Sequence, residues 1–282
     1  MKTYDLDLVG LRVVLNTPNP ITIGDNLRPF LCQPHSVWDF VITVQYRDAL
    51  PEAPEGGIWR GPEYFTYEQG KLRVFHCYAP GKDAYAMTRY DEQGNVFLDV
   101  LPGQASCVSG SEGILNRIGL ETLLLQHSSL LLHASWIIYQ GKGIAFAGSS
   151  GVGKSTQARL WQEYLQAEIA NGDRVAVRKP DDHWFAYGSP YAGTSGIYTN
   201  CHAPLTAIVL LEQGQENQLC QMTPAQALPR IYPELSIHRW DRHFTEKAMD
   251  LCLDLLGTVP VYKLTCRPDE GAVQLLKKGL LL

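Results

Sequence analysis

The feature that most constrains this sequence is a loop rich in glycine and hydroxyl residues near the middle of the chain. It lies between an apolar run, 144–147, and a helix-forming run, 157–165, and reads Gly148-Ser149-Ser150-Gly151-Val152-Gly153-Lys154-Ser155-Thr156. In a strand, loop and helix of this spacing, backbone N–H groups converge on phosphate oxygens, the lysine reaches the outer phosphates and the next hydroxyl binds Mg²⁺. The positive end of the helix favours the same anion. These nine residues therefore predict a site for a nucleoside triphosphate, which we take to be ATP, and for Mg²⁺, with Ser155 on the metal.

Composition limits the setting of this site. The chain has 282 residues, 45% of them hydrophobic, and a formal net charge of −5. This length favours two domains over one, and the acidic balance gives no general attraction to nucleic acid or to an anionic membrane. No apolar run approaches the ~20 residues that span a bilayer, and the first residues carry no leader pattern. The sequence therefore predicts a cytoplasmic protein with neither a nucleic-acid nor a membrane partner.

The cysteines and histidines indicate neither a metal site nor a disulfide framework. The seven cysteines are scattered and never form the close pairs that zinc sites use, and the eight histidines show no short metal-binding spacing. We therefore expect reduced thiols, most of which pack as ordinary apolar residues.

Residues 1–112 predict a β-rich N-terminal domain. Runs rich in Val, Tyr and Phe are separated by short polar turns and cover 6–15, 37–46, 64–67, 71–78, 85–90 and 96–101. This pattern favours antiparallel strands, with Gly70 and Gly94 in hairpin connections. The aromatic residues, among them Trp38 and Trp59, either form a substrate-recognition face or fill a core. The seam with the second domain, 113–282, is expected at 109–113.

Residues 113–282 predict an α/β domain with a mixed sheet. A linking helix up to residue 126 precedes a strand over 130–139, and a short turn at 140–143 makes a hairpin with the strand that enters the phosphate loop. Past the helix, Asp173 is the first acid at a strand edge. Phosphoryl transfer needs such a carboxylate to hold the metal or to accept the proton of the incoming hydroxyl. The alternative is a turn aspartate that pairs with Arg174.

The later part of the chain leaves several roles open. Asp181-Asp182 is either a second acidic candidate for the metal or a turn, and the loop 192–196 either closes over substrate or simply connects two elements. A continuously apolar run at 204–211 predicts a buried strand. Helices are expected from Thr223-Pro224, over 244–256 and after Pro268. Four arginines around these elements could each stabilise a transferring phosphate or remain solvated, namely Arg230, Arg239, Arg242 and Arg267.

The residues around the loop resemble the catalytic domain of HPr kinase/phosphorylase. The likeness rests on the hairpin, on the phosphate loop and on the runs His133-Ala134-Ser135 and Asn171-Gly172-Asp173-Arg174-Val175. It implies a phosphoenolpyruvate carboxykinase-like nucleotide fold and phosphorylation of a serine in a small carrier protein. In that family a histidine precedes the hairpin strand, as His133 does, and an acidic pair follows the first helix. In this chain Gly172 replaces the first acid of that pair, and Thr156 replaces the acid that usually follows Lys-Ser. These two replacements count against the reverse, phosphorolytic reaction more than against the kinase reaction.

A closer resemblance is to HPr-kinase-like proteins encoded with peptide-modifying enzymes, including kinases that phosphorylate lasso-peptide precursors on serine. It covers most of 130–275 and adds the runs 191–198 and 259–269. It implies transfer of the γ-phosphoryl group of ATP to a serine of a peptide or small protein. Lys154 would hold the phosphates, and Ser155 and Asp173 the Mg²⁺. Asp173 would alternatively be the base, and His133 would contact phosphate or order Asp173. HPr kinases assemble into oligomers, so a homo-oligomer is also implied.

Two other functions fit the same residues. A small-molecule kinase would use the site on a metabolite hydroxyl, and a non-catalytic ATP-binding module of a peptide-modifying complex would bind Mg-ATP without turnover. The replacement of an acid by Gly172 makes the second alternative worth testing.

Overall fold

The structure is a computed structural model that describes residues 1–52, 58–60, 64–69, 71–78 and 82–282. The chain divides into two compact units, Met1–Leu123 and Leu124–Leu282, so the division lies later than the expected seam at 109–113. Helix α1 (Ser111–Ile118) stays with the first unit because its last carbonyls accept hydrogen bonds from that unit's sheet. Thr88 Oγ1 donates to Arg117 O at 2.6 Å, and Tyr90 Oη donates to Ile118 O at 2.7 Å.

The first unit is built on a mixed sheet. Its described strands are β1 (Lys2–Leu8), β2 (Leu11–Thr17), β3 (Phe40–Tyr46), β4 (Ile58–Arg60), β5 (Tyr64–Gln69), β6 (Lys71–His76), β7 (Ala86–Tyr90) and β8 (Val96–Val100). Across the sheet they lie in the order β1-β2-β3-β8-β7-β6-β5-β4. The β-rich composition is confirmed, but the expectation of an antiparallel domain is wrong, because β3 pairs in parallel with both β2 and β8. No hairpin pattern could show these pairings, since the strands are joined by long connections.

Two turns in this unit depend on left-handed backbone. The sequence predicts one strand over 6–15, whereas Val9 and Gly10, with φ of 61° and 68°, turn the chain back as a hairpin between β1 and β2. Gly94, with φ of 82°, lies in the turn between β7 and β8 as predicted. Gly70 and the side chain of Trp59 lie outside the described residues.

The second unit is an α/β domain with a second mixed sheet. Its strands are β9 (Ser129–Tyr139), β10 (Lys142–Ala147), β11 (Glu168–Asn171), β12 (Arg174–Arg178), β13 (Phe185–Tyr187), β14 (His202–Gln213), β15 (Gln218–Met222) and β16 (Val261–Cys266). The order is β10-β9-β12-β13-β14-β16-β15, with β11 on β9. Because β10 also pairs in parallel with β14, the strands β9, β12, β13, β14 and β10 form a closed circuit.

Helices cover both faces of this sheet. They are α2 (Leu120–Gln126), at the division between the units, and α3 (Lys154–Leu165), α4 (Pro224–Ile231), α5 (Arg242–Thr258) and α6 (Glu270–Gly279). Trp161 of α3 and Val273 of α6 pack with Phe146, while Phe244 of α5 lies in the opposite core with Trp136. Strands buried on both faces read as continuous apolar runs, which is why β10 and β14 show no polar alternation.

Several local expectations can be compared with the structure. The expected linking helix is broken at Gly119, which has φ of 57° and separates α1 from α2. Thr223 begins α4 with a capping box, as a hydroxyl before proline predicts. Helix α5 continues through Gly257 instead of ending there. All seven cysteines are free thiols. Within the described ranges, no helix is both long and apolar enough to cross a membrane.

Candidate active site

The phosphate loop joins β10 to α3 through backbone that only glycine adopts readily. Gly148, Gly151 and Gly153 have φ of 138°, 79° and 114°. A side chain at Gly148 would also meet Val152 Cγ1 at 3.2 Å, so the position has neither the conformational nor the spatial freedom for one. Within the loop the N–H of Val152 donates to Ser149 O at 3.2 Å, and α3 begins at Lys154, directly after Gly153. This is the arrangement that binds an anion at a helix N-terminus.

Lys154 fills the centre of the loop. Its side chain is buried, and Nζ donates to Gly148 O at 2.7 Å and to Ser149 O at 3.3 Å. Burial lowers the pKa of Lys154, and the carboxylates of Glu234 and Asp173 partly offset this by raising it. The loop thus holds a cation, and two acids from distant parts of the chain lie close enough to act on its charge.

Asp173 is presented by a turn that Asn171 organises. The Asn171 side chain is fully buried and its Oδ1 accepts from the backbone N–H groups of Asp173 and Arg174, both at 2.9 Å. Its Nδ2 donates to the carbonyls of Ser189 and Tyr191, both at 3.1 Å. The Asn-Gly-Asp-Arg run is therefore a side-chain-closed turn, a local structure for which asparagine is well suited.

The turn Gly193–Ser195 lies directly against Gly172 and Asp173. A Cβ on Gly172 would come within 2.1 Å of Ser195 Oγ, and a Cβ on Gly193 within 2.7 Å of Asp173 Cγ. The space that an acid would need at position 172 is therefore occupied by Ser195. The loop 192–196, whose role the sequence left open, thus packs on the candidate catalytic turn.

His133 lies between two carboxylates. Its Nδ1 is 3.0 Å from Glu234 Oε2, and its Nε2 is 3.4 Å from Asp173 Oδ1. The other Asp173 oxygen, Oδ2, is 3.5 Å from Nε of Arg174, so the ion pair considered as the alternative role for Asp173 is present as well. The structure thus brings His133, Lys154 and Asp173 to one place.

Glu234 is the residue that the sequence reasoning missed. It ends a short 3₁₀ turn, Tyr232–Glu234, that follows α4, and its contact with His133 spans 101 residues. A proline-glutamate pair after a helix is a common turn composition, so no spacing could have identified it. Only the pairing of distant segments reveals this carboxylate.

Two cavities flank the phosphate loop. The first, of about 570 Å³, is lined by one side of the loop and by Glu212, Arg230 and Glu234. The second, of about 540 Å³, is lined by the other side of the loop and by Gln157, Cys266 and Arg267, among others. The first is lined by Glu234, which contacts His133, and by the guanidinium group of Arg230. The second is lined by amides and by the guanidinium group of Arg267, with no carboxylate among the described residues that line it. Neither lining includes Asp173, His133 or Lys154.

The other sequence candidates are distributed unevenly. Arg230 and Arg267 line the two cavities, whereas Arg242 is exposed and bonded to Glu246 at 2.7 Å. Arg239 is exposed, as are Asp181 and Asp182 on the connection after β12, and none of these three lines either cavity. Ser155 and Thr156 are exposed in the first turn of α3.

The donor set at this site is suited to Mg²⁺. Ser155 offers a hydroxyl oxygen and Asp173 a carboxylate, and Mg²⁺ prefers such oxygen ligands together with substrate phosphates and waters. In the described part of the chain no three His, Cys, Asp or Glu side chains come together as a metal site of their own. A magnesium ion here would therefore depend on phosphate oxygens from a nucleotide.

Comparison with known proteins gives a distant likeness of fold. No protein-family model matches the chain, and no curated protein matches it. Among solved structures it is similar to the HPr(Ser) kinase/phosphatase from Coxiella burnetii, with 11% identity and a TM-score of 0.31 over 54% of this chain and 87% of that chain. This likeness concerns the fold alone and says nothing about the chemistry of the site.

Proposed function

We propose that this protein transfers the γ-phosphoryl group of ATP to a hydroxyl, that of a serine in a peptide or small protein. The observation that carries the proposal is the convergence of a phosphate loop and its buried lysine with the His133–Asp173 pair in one unit of the chain. A phosphate loop alone accounts for nucleotide binding. A carboxylate that also acts on the charge of Lys154 adds what transfer to a hydroxyl requires.

Each residue has a distinct task in this proposal. The loop backbone and Lys154 hold the β- and γ-phosphates, and Lys154 leaves the carbonyls of Gly148 and Ser149 for phosphate oxygens. Asp173 accepts the proton of the incoming hydroxyl or holds Mg²⁺ together with Ser155. The metal, when bound, neutralises charge on the transferring phosphoryl group. His133 keeps the Asp173 carboxylate in place.

The two cavities suggest how the substrates approach. The acceptor has to reach Asp173, so we assign it to the cavity lined by Glu234, because Glu234 and Asp173 contact the same side chain, His133. The nucleoside then occupies the cavity with Gln157, Cys266 and Arg267, where amide and guanidinium groups suit the polar edge and flat face of a base. With this arrangement the γ-phosphate lies between the β-phosphate of ATP and the acceptor hydroxyl.

The test is transfer from γ-labelled ATP, with Mg²⁺, to a pool of serine-containing peptides and to soluble hydroxyl compounds. Asp173→Asn should lower kcat by roughly 10²- to 10⁴-fold and leave ATP affinity largely intact, because it removes a base or a metal ligand and not the phosphate cradle. Lys154→Ala should weaken both. Asp181→Asn is the matched control, since it makes the same change to an exposed acid on the connection after β12.

The outcomes separate the three functions. Label in a peptide that depends on Asp173 supports the proposal, and label only in small hydroxyl compounds makes the protein a metabolite kinase. Calorimetric binding of Mg-ATP without transfer, and with no effect of Asp173→Asn beyond affinity, would make it a non-catalytic binding module.

A further inference from the structure

We infer that the segment Glu234–Ser236 is a positioning clamp that fixes the two oxygens of Asp173 through two intermediary side chains. The inference rests on the proposed function and assigns a role to residues that no sequence pattern singles out. Glu234 Oε2 lies 3.0 Å from His133 Nδ1, and Ser236 Oγ accepts from Nη1 of Arg174 at 2.7 Å. Both ends of one short segment therefore contact a neighbour of Asp173.

The two intermediaries face different oxygens of the same carboxylate. His133 Nε2 is 3.4 Å from Oδ1 and Arg174 Nε is 3.5 Å from Oδ2. His133 on β9 and Arg174 on β12 are partners in the strand register, so they flank Asp173 from adjacent strands. Arg174 attracts one oxygen through its charge and His133 presents a ring nitrogen to the other, so the orientation of these two side chains determines how the carboxylate points.

The backbone of Asp173 is held independently of its side chain. Its N–H donates to Asn171 Oδ1 at 2.9 Å, and its carbonyl accepts from the N–H of Ala134 at 2.9 Å. These two hydrogen bonds fix the position of the Asp173 backbone. The side chain can still rotate, and the contacts of its carboxylate with His133 and Arg174 restrict this rotation.

The segment Glu234–Ser236 is fixed to β9, in a position from which it contacts both His133 and Arg174. Leu235 is buried, has extended backbone with φ of −78° and ψ of 137°, and bridges to Leu132 of β9. The N–H of Ser236 donates to Leu131 O at 2.9 Å. In extended backbone, residues i and i+2 point to the same side, so burying Leu235 directs Glu234 and Ser236 together toward β9 and β12.

A carboxylate can only accept a hydrogen bond, so the contact of Glu234 with Nδ1 of His133 fixes the plane of the ring and thereby the direction in which Nε2 faces Asp173. Glu234 also acts on the charge of Lys154, which gives a competing explanation in which it merely balances the cation of the phosphate loop. The two explanations differ in whether the effect of Glu234 passes through His133.

A double-mutant cycle separates them. We expect Glu234→Ala to lower kcat for peptide phosphorylation about 10-fold with the KM for ATP nearly unchanged, since a displaced catalytic group slows the chemical step and not nucleotide binding. In a His133→Ala background the same change should have little further effect, because interacting residues are not additive. Glu234→Gln keeps an acceptor and should recover most of the rate. Ser236→Ala should also lower kcat.

The control is Asp254→Ala, which removes an ion pair of the same unit with Lys179 at 2.7 Å and should leave kcat unchanged. Equal losses from Glu234→Ala with and without His133, or a loss confined to the KM for ATP, would overturn the clamp in favour of charge balance.

A measurement without substrate keeps this test apart from the proposed function. The orientation of the His133 ring, determined from crystal structures of the nucleotide-free protein, should be the same in the wild type and in Glu234→Gln. In Glu234→Ala the ring plane should rotate, so that Nε2 no longer faces Asp173 Oδ1. An unchanged ring in Glu234→Ala refutes the inference even if the protein is a kinase, and the expected rotation supports it even if no acceptor is phosphorylated.

Discussion

Substituting alanine for Gly193 should misplace Asp173, and substituting it for Gly196 should not. Both glycines belong to the same short loop and have left-handed backbone, with φ of 53° and 63°. The Cβ of Gly193→Ala would lie 2.7 Å from Asp173 Cγ, whereas a Cβ at Gly196 meets nothing within 4 Å. The pair therefore separates the cost of left-handed backbone from the displacement of the carboxylate.

The magnitudes follow from these distances. Left-handed backbone costs an alanine roughly 1–2 kcal/mol, so both variants should lose a few degrees of Tm, at roughly 2–4 °C for each kcal/mol in a domain of this size. Carbon atoms in contact prefer about 3.5–4.0 Å, so in Gly193→Ala the carboxylate or the loop has to move by about 1 Å. A displacement of that size at a reacting group costs up to about 10²-fold in rate.

The assay compares kcat for the labelled serine peptide and the Kd of Mg-ATP in the two variants and the wild type. We expect Gly193→Ala to lose about 10- to 100-fold in kcat with its ATP affinity retained, and Gly196→Ala to remain close to wild type at a temperature where both are folded. Equal kcat values in the two variants would refute the reasoning. So would a loss of ATP affinity in Gly193→Ala alone, since Asp173 would then act on nucleotide binding.

Two further predictions test other parts of the structure. Cys266 lines the second cavity, and burial and the Asp269 carboxylate raise its thiol pKa. A nucleoside in this cavity covers Cys266, so saturating Mg-ATP should slow its alkylation several-fold and leave the alkylation of the exposed Cys220 on β15 unchanged. Equal Cys266 rates with and without Mg-ATP, measured by mass spectrometry, would contradict the nucleoside assignment. In the first unit, burial lowers the pKa of His76 to about 3, whereas the unfolded chain keeps a value near 6.5. Between these two values only the unfolded chain binds the proton, so the free energy of unfolding decreases as the pH is lowered below about 6.5. The loss should reach about 2 kcal/mol at pH 5 and be absent in His76→Gln, as measured by urea unfolding at pH 5 and pH 7.

The sequence could predict the parts of this site whose geometry is local. The phosphate loop needs one strand, three glycines and one helix that follow each other directly, so its spacing is visible in nine residues. The Asn171–Arg174 turn is equally local, because the amide of Asn171 closes it within three residues. The hairpin before the loop could be predicted for the same reason.

The sequence could not show contacts between distant segments. Glu234 meets His133 across 101 residues, and the parallel pairs of β3 join strands that no turn connects. The contact of Ser195 with Gly172 depends on the path of the loop 192–196 back to the Asn171–Arg174 turn, and composition does not determine that path. Asp181-Asp182 has the composition of a metal site, yet it lies exposed on the connection after β12, and composition does not determine where that connection runs.

Strand β9 explains why these separate pieces meet where they do. On one edge it pairs with β10 only from Ala134 onward, so β10 ends at Ala147 opposite Ala134 and the phosphate loop departs there. On the N-terminal side of Ala134 the same edge of β9 pairs with Leu235 through Leu132. Leu132 also pairs with Val175 of β12 on its other edge, so Leu235 and β12 lie on opposite edges of β9. On the second edge β11 and β12 follow one another and are interrupted only by the turn that carries Asp173. The phosphate loop, the clamp and the candidate base therefore all begin within one or two residues of His133. A substitution that shifts the register of β9 would separate all three at once, because a single slip moves each side chain to the opposite face.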